Sequence, residues 1–208
     1  MFISIEGVDG VGKTSIRYAL EKELRRKTFS VNTIDEFPQN YLDNAIQKLL
    51  EREPFLRLHP NVQTTVSQTL LLLSLHAFKY KTLIEPALHK IQYVIVDRYI
   101  DSVFAYQSVL LQEIGMVGAV AREWIEQCAR FHPMPDLTIF IDMKTAVAVE
   151  RRQARGDVIG YDEQDFLTKV EDEYNKHFSN MSRRVLRVNN EGSLEDTIDE
   201  IIELMGLL

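Results

Sequence analysis

The sequence predicts an α/β fold in which a five-stranded parallel sheet is covered by helices on both faces. Short apolar segments typical of buried strands alternate along the chain with longer segments of helical periodicity. No segment rich in Gly, Pro or Ser divides the chain, and 208 residues is an ordinary length for one domain. We therefore expect residues 1–208 to form a single domain.

The five expected strands are short runs rich in apolar and β-branched residues, as strands buried on both faces require. They are Phe2–Glu6, Phe29–Ile34, Tyr93–Val96, Leu137–Ile141 and Val185–Val188. Helical segments separate each strand from the next, and a crossover of this kind returns the chain to a parallel neighbour.

Helices are expected where apolar residues recur three or four positions apart. The segments are Lys13–Lys27, Leu42–Leu50, Val62–Leu88, Ser102–Leu111, Val117–Phe131, Thr145–Arg155, Glu163–Phe178 and Ser193–Met205. The longest is expected to be continuous and to end near Pro86, and Ser193 is expected to cap the last one. One stripe suits either a buried helix face or a dimer interface; it consists of Trp124, Ile125, Cys128 and Phe131.

Composition excludes several classes of function. A net charge of −7 opposes general nucleic-acid binding, which requires a basic surface. The single cysteine, Cys128, excludes an internal disulfide and a cysteine-based zinc site, and it suits a reducing compartment such as the cytoplasm. The longest apolar run, Leu70–Leu73, is far shorter than the roughly 20 residues of a membrane helix, and no secretory signal is visible. We expect neither a nucleic-acid nor a membrane partner.

A phosphate-binding loop follows the first expected strand. The segment Gly7–Thr14 fits the pattern G-x-x-x-x-G-K-[ST] completely. In such a loop the backbone N–H groups and the positive end of the next helix surround a phosphate. Lys13 is expected to reach the β- and γ-phosphates, and the Thr14 hydroxyl to bind Mg²⁺. The nucleotide-binding residues we expect are Gly7, Asp9, Gly10, Val11, Gly12, Lys13, Thr14 and Ser15.

An acid and a base end the third expected strand, in the segment Val94–Tyr99. Ligands of such sheets gather at the carboxyl ends of the strands. Asp97 would then lie beside the phosphate loop and hold a Mg²⁺-bound water, while Arg98 would bind a phosphate with its planar fork. The alternative is a surface ion pair at the end of a strand.

These segments together resemble a known family. Phe2–Thr14 resembles the opening of thymidylate kinases, and Asp97–Ser102 followed by Ala105-Tyr106-Gln107 resembles their second signature. Ile84–Leu88 also matches, and so do three residues of the family's lid: Arg151, Arg155 and Gly156. The resemblance implies a three-layer P-loop kinase fold, ATP and Mg²⁺, small nucleotide substrates and usually a homodimer. The implied reaction is phosphate transfer to a pyrimidine deoxynucleoside monophosphate, with dTMP as the first acceptor to test.

The resemblance also implies roles for residues at matching positions. Asp9 would contact the sugar–phosphate region of the acceptor, and Arg98 would bind its phosphate. Tyr106 would support the sugar and Gln107 would contact the base edge, with Ser102 in the same group.

A lid around residues 151–165 is implied to supply catalytic arginines. Val11 stands where some members carry an arginine in the phosphate loop, so the lid would replace it. The alternative is a solvated basic face paired with Glu150 and Asp157. The implied catalytic set is Asp9, Lys13, Arg98, Arg151 and Arg155.

The expected acceptor site departs from the family pattern. The segment Glu36-Phe37-Pro38 stands where members typically have Arg-x-Pro after the second strand. Leu72 and His76 stand where members carry a phenylalanine that stacks on thymine and an arginine that binds its carbonyl. Val103 replaces a small polar residue that is common there.

Glu36 is the most informative of these changes. A doubly charged phosphate about 6 Å from a carboxylate costs several kcal/mol at an effective dielectric of about 20. Two hypotheses follow. In the first, Glu36 turns away or pairs with an arginine, and the acceptor is a monophosphate. In the second, Glu36 is the general base of a deoxynucleoside kinase. A non-catalytic paralogue also stays open, whereas the guanine signature Asn-Lys-x-Asp of a GTPase switch is absent from the sequence.

Overall fold

The sheet has five parallel strands in the order β2-β3-β1-β4-β5. A computed structural model describes residues 1–38, 41–52, 54–57, 61–179, 181 and 184–207. The strands are β1 (Phe2–Glu6), β2 (Val31–Ile34), β3 (Tyr93–Asp97), β4 (Leu137–Ile141) and β5 (Val185–Val188). All five expected strands are therefore confirmed, with small shifts at the ends of β2 and β3.

The helices alternate with the strands as expected. They are α1 (Lys13–Arg26), α2 (Tyr41–Arg52), α3 (Val62–Lys79), α4 (Glu85–Leu88), α5 (Ile100–Glu113), α6 (Gly118–Ala129), α7 (Thr145–Ala154), α8 (Tyr161–Phe178) and α9 (Leu194–Leu204). Ser193 caps α9, because its hydroxyl oxygen accepts a 3.0 Å bond from the Asp196 backbone N–H. In the described part of the chain, no helix is long and apolar enough to cross a membrane.

The long helix expected over Val62–Leu88 is interrupted. A π-helical turn, Tyr80–Ile84, joins α3 to α4. Such a turn inserts extra backbone into an α-helix and is frequent at functional sites. The spacing of apolar residues does not reveal the π-helical turn, because the residues on each side of it still follow a helical period.

Apolar side chains bury both faces of the sheet. Ile95 packs in one hydrophobic cluster, whereas its neighbours Val94 and Val96 pack in the other. Successive side chains of a strand point to opposite faces, so the two clusters are the two interfaces between the sheet and its helices. This confirms the three-layer α/β fold.

The register places the carboxyl end of β1 between two neighbours. Ile5 lies beside Asp97 of β3, and Glu6 lies beside Phe140 of β4. The loops that follow β1 and β3 therefore meet at one edge of the sheet, where an α/β protein collects its ligands.

Candidate active site

The phosphate loop connects β1 to α1 in a tight curve. Gly10 and Gly12 have φ angles of 97° and 96°, in the left-handed region that favours glycine. A Cβ atom on Gly10 would lie 2.6 Å from the Ala148 carbonyl oxygen, and one on Gly12 would lie 2.5 Å from Nδ2 of Asn190. Both the backbone conformation and the surrounding space therefore require glycine.

Asn190, which follows β5, holds this loop from outside. Its Nδ2 donates a 2.7 Å bond to the Val11 carbonyl, and its Oδ1 accepts a bond from Thr197. The side chain is buried. Sequence analysis missed this residue, because nothing local marks an asparagine 179 positions away as a support of the loop.

Lys13 and Thr14 begin α1 at the mouth of the loop. Nζ of Lys13 donates a 3.0 Å bond to the Val8 carbonyl and lies 3.7 Å from Oδ1 of Asp9. Burial lowers the pKa of Lys13, and the nearby Arg98 cation lowers it further. A bound polyphosphate would add negative charge beside this buried cation, whose ion pair with Asp9 is long.

The Thr14 hydroxyl donates a 3.2 Å bond to Oδ2 of Asp97. The other carboxylate oxygen of Asp97 is buried and has no hydrogen-bond partner among the described residues. A hydroxyl and an unsatisfied carboxylate oxygen, side by side at a phosphate loop, fit a hydrated Mg²⁺ ion. These residues are the two that the sequence assigned to the metal.

Arg98 is the centre of the polar network beside the loop. Its φ angle of 57° is unusual for a residue with a side chain. The guanidinium is buried and bonds to five side chains: Asp9 at 2.6 Å, Tyr106 at 3.0 Å, Ser102 at 3.0 Å, Tyr174 at 3.2 Å and Glu36 at 3.4 Å. A cation held in this way is already oriented for an anionic ligand.

Glu36 therefore faces Arg98 and does not turn away. Its backbone carbonyl also accepts a 3.0 Å bond from Nζ of Lys79, a buried cation that additionally contacts the Arg98 carbonyl at 3.4 Å. Lys79 thus ties the loop after β2 to the end of β3. Burial raises the pKa of Glu36, although Arg98 opposes the shift.

Behind Arg98 lies a buried carboxylate that sequence analysis did not single out. Glu6 accepts a 2.8 Å bond from the Tyr99 backbone N–H and a 3.2 Å bond from the Tyr174 hydroxyl, and it also accepts a bond from Ser102. Burial raises its pKa to about 7, and the nearby Asp101 charge acts in the same direction. Tyr174 comes from α8, so only the tertiary fold brings this group together.

A cavity of about 480 Å³ opens beside the phosphate loop, within the usual size range of small-molecule sites. All nine expected acceptor residues line it: Asp9, Glu36, Phe37, Leu72, His76, Arg98, Ser102, Tyr106 and Gln107. Residues that were not assigned to the acceptor site also line it: Gly10, Leu50, Phe55, Leu56, Val103, Arg152 and Arg155. Phe55 gave no signal in the sequence, because its place depends on a backbone φ of 67°.

The lid residues are placed unequally. Arg155 lines the cavity at the end of α7, and so does Arg152, whereas Arg151 is not among the lining residues. Arg152 is also paired with Asp157 at 2.8 Å and with Glu163 at 2.5 Å. Asp157, the acidic partner expected if these arginines formed a solvated basic face, therefore does form an ion pair. Its partner, Arg152, nevertheless also lines the cavity.

The two ligand sites are contiguous, because Asp9 and Gly10 belong to both the phosphate loop and the cavity wall. The terminal phosphate of a nucleotide in the loop would lie at the entrance of the cavity, next to the Arg98 cation. This layout, on a parallel sheet, defines the class of P-loop nucleotide kinases.

The comparison with known proteins specifies the class further. The family model described as thymidylate kinase matches residues 5–201. The chain belongs to the thymidylate kinase family and is a nucleoside monophosphate kinase, an enzyme of the phosphotransferase type.

Named relatives are similar over nearly their whole length. A thymidylate kinase from Caldanaerobacter subterraneus subsp. tengcongensis is 30% identical over 194 residues, covering 90% of this chain and 86% of the relative. One from Mycoplasmopsis agalactiae is 30% identical, covering 98% and 93%. A probable thymidylate kinase from Methanococcoides burtonii is 28% identical, covering 97% and 94%.

Proposed function

We propose that this enzyme transfers the γ-phosphoryl group of ATP to a pyrimidine deoxynucleoside monophosphate, with dTMP as the first acceptor. The observation that carries the proposal is the buried Arg98 guanidinium in the wall of a cavity that begins at the phosphate loop. An acceptor phosphate bound to Arg98 would face the terminal phosphate of ATP, as transfer requires.

Catalysis in this site would rest on positioning and charge neutralisation. The backbone of the phosphate loop and Lys13 would hold the donor, and Thr14 and Asp97 would hold Mg²⁺, directly and through water. The metal would neutralise charge on the β- and γ-phosphates. Arg155 and Arg152 face the same space and would stabilise charge as the phosphoryl group moves.

Glu36 must give way to the acceptor in this mechanism. Arg98 already contacts two carboxylates, Asp9 at 2.6 Å and Glu36 at 3.4 Å. An incoming phosphate would replace Glu36 at the guanidinium, because the two carboxylates are equally exposed and the longer ion pair is the weaker one. Burial raises the pKa of Glu36 in its present position, and a carboxyl that has taken up a proton would leave Arg98 more readily than a carboxylate.

A second candidate is a deoxynucleoside kinase of the same fold with Glu36 as general base. The observation that favours it is the position of the carboxylate, which lines the cavity near Arg98. A raised pKa also suits a group that accepts a proton from a sugar hydroxyl.

Glu36→Gln separates the two candidates when kcat/KM is measured with dTMP and with thymidine. We expect about a tenfold gain with dTMP, because removing the carboxylate charge frees Arg98 and ends repulsion of the phosphate. A nucleoside kinase would instead lose about a hundredfold or more with thymidine through lost base catalysis.

The matched control is Asp35→Asn, in the same loop. Asp35 pairs with Arg17 at 2.6 Å and does not line the acceptor cavity, so its change should leave both acceptors unaffected. If Glu36→Gln leaves kcat/KM unchanged with both dTMP and thymidine, Glu36 does not face the acceptor, and both roles proposed for it are wrong.

Three further parts of the proposal concern the whole protein. Residues 151–165 act as a lid on one domain, 1–208. The enzyme works in the cytoplasm, which its single cysteine suits. It is a homodimer: Ile125 of the α6 stripe is buried, whereas Phe131 at its end is 84% exposed, leaving an apolar surface for a second copy.

A further inference from the structure

α3 and α5 contribute four polar side chains to the acceptor cavity, and in the described part of the chain two of them make no bond to Arg98. These two are Gln107 and His76, and the apolar lining beside them includes Leu72 and Val103. Apolar walls with a few polar groups bind the flat body of a ligand and then select it by hydrogen bonds. The hydrogen-bonding capacity of Gln107 and His76 therefore decides which base fits.

Gln107 is anchored by a hydroxyl that accepts either orientation of its amide. Oγ1 of Thr69 lies 2.7 Å from Oε1 of Gln107 and 2.8 Å from the Thr65 carbonyl. A hydroxyl has one proton to donate and also accepts. When it donates to Gln107, the amide NH₂ is left for the ligand. When it donates to Thr65, it accepts from the NH₂ of a rotated amide, and the amide oxygen is left for the ligand.

His76 has the same versatility. Its side chain is buried, and Nδ1 has no hydrogen-bond partner among the described residues. Burial, with the nearby Lys79 charge, lowers the pKa of His76 well below its ordinary value, so the ring is neutral. A neutral imidazole has one donor and one acceptor nitrogen, and a change of tautomer exchanges them.

Thymine and cytosine present opposite patterns to such a pair. Thymine offers an N3–H donor and an O4 acceptor, whereas cytosine offers an N3 acceptor and an N4 amino donor. A site with fixed donors would satisfy one base and leave its own groups unpaired with the other.

We propose that Thr69, Gln107 and His76 form a base site that accepts both thymine and cytosine deoxynucleoside monophosphates. The proposal rests on the proposed function, since it requires the acceptor base to occupy this cavity. Thr69 is a positioning residue in it, because it acts through Gln107.

The unmodified enzyme provides the first test, as the ratio of kcat/KM for dTMP to that for dCMP. We expect a ratio below about 10², because both bases find partners, whereas a site with fixed hydrogen bonds rejects the wrong ligand by about 10⁴ or more. A ratio above about 10² overturns the inference. Activity with dTMP alone overturns only the inference, and activity with neither acceptor overturns the proposed function as well.

His76→Arg provides the second test, since a guanidinium only donates. We expect the dTMP to dCMP ratio to rise at least about tenfold, because the arginine opposes the amino group of cytosine. The matched control is His89→Arg, an exposed residue after α4, which should leave the ratio unchanged. An unchanged ratio in a folded His76→Arg enzyme overturns the role of His76.

Thr69 is tested by a pair of variants. Thr69→Val keeps the shape of the side chain and removes the hydroxyl, so kcat/KM should fall about tenfold with both acceptors. Thr69→Ser restores the hydroxyl and should restore both activities. Equal values for the valine and serine variants overturn the positioning role, whatever their stability.

Discussion

At the scale of single residues, the proposed donor site is tested by changing Lys13. Lys13→Ala should abolish transfer to any acceptor, with a loss of about a hundredfold or more in kcat, because it removes a preorganised charge from the reacting phosphates. The fold should persist, since Nζ makes one hydrogen bond among the described residues, to the Val8 carbonyl, and one long ion pair, to Asp9. Steady-state kinetics and a thermal melt measure the two effects.

Lys22→Ala is the control for this change, since Lys22 is exposed on the same helix. It should retain full activity. Near-normal transfer by Lys13→Ala would show that the assignment of Lys13 is wrong.

How far single residues were predictable depended on the sequence distance of their partners. Lys13 and Thr14 belong to a local motif whose backbone geometry is fixed by its own glycines, so their placement followed from the sequence. Glu6 and Asn190 contact residues 96 and 179 positions away, respectively. No pattern in the sequence marks such pairs, because only the closed sheet brings them together.

At the scale of elements, one prediction concerns Arg155, which lines the cavity at the end of α7. Arg155→Ala should lower kcat more than it raises KM for ATP, because its contact strengthens as charge develops in the transition state. The control is Arg26→Ala, whose side chain is 70% exposed at the far end of α1. An equal loss in binding and turnover would contradict this role.

Motion of the lid is a separate prediction. Most of residues 153–162 are exposed, and Gly156 has a φ of 100°, so little packing holds the segment in place beyond the ion pairs of Arg152 with Asp157 and Glu163. We expect rapid amide exchange there without ligand and protection with a bisubstrate analogue. Hydrogen exchange followed by mass spectrometry measures both states, and identical exchange would rule out gating.

Elements were more predictable than their irregularities. Strand and helix bounds followed from apolar periodicity to within a few residues, except where the chain departs from regular geometry. The π-helical turn Tyr80–Ile84 and the left-handed Phe55 are two such departures, and tertiary packing fixes both. Phe55 lines the acceptor cavity, and the π-helical turn follows Lys79, which bonds to the Glu36 carbonyl.

At the scale of the whole molecule, the buried carboxyl of Glu6 contributes to the pH dependence of stability. The folded state raises the pKa of Glu6 from 4.5 to about 7. The folded state favours the protonated carboxyl, so the contribution of Glu6 to the free energy of unfolding is fully present below about pH 4.5. This contribution is lost as the pH rises through about 7. The free energy of unfolding should therefore fall by on the order of 2–3 kcal/mol between these values. Denaturant titrations across that range measure the slope.

Glu6→Gln should flatten this slope, because an amide keeps the neutral state and its hydrogen bonds at every pH. The exposed Glu195→Gln on α9 is the control and should keep the slope of the unmodified protein. A slope that is equally steep in Glu6→Gln would show that another group titrates.

The central place of β1 in the sheet has a consequence for biosynthesis. β1 is the first strand to leave the ribosome, yet its partners β3 and β4 begin only at residues 93 and 137. A nascent chain therefore carries an unpaired apolar strand while most of the protein is still to be made, and open strand edges promote aggregation. The phosphate loop gains the hydrogen bond from Asn190 to the Val11 carbonyl even later, when residue 190 has been synthesised. Fragments that contain β1 and the phosphate loop but end before β4 should therefore be the least soluble fragments of this protein.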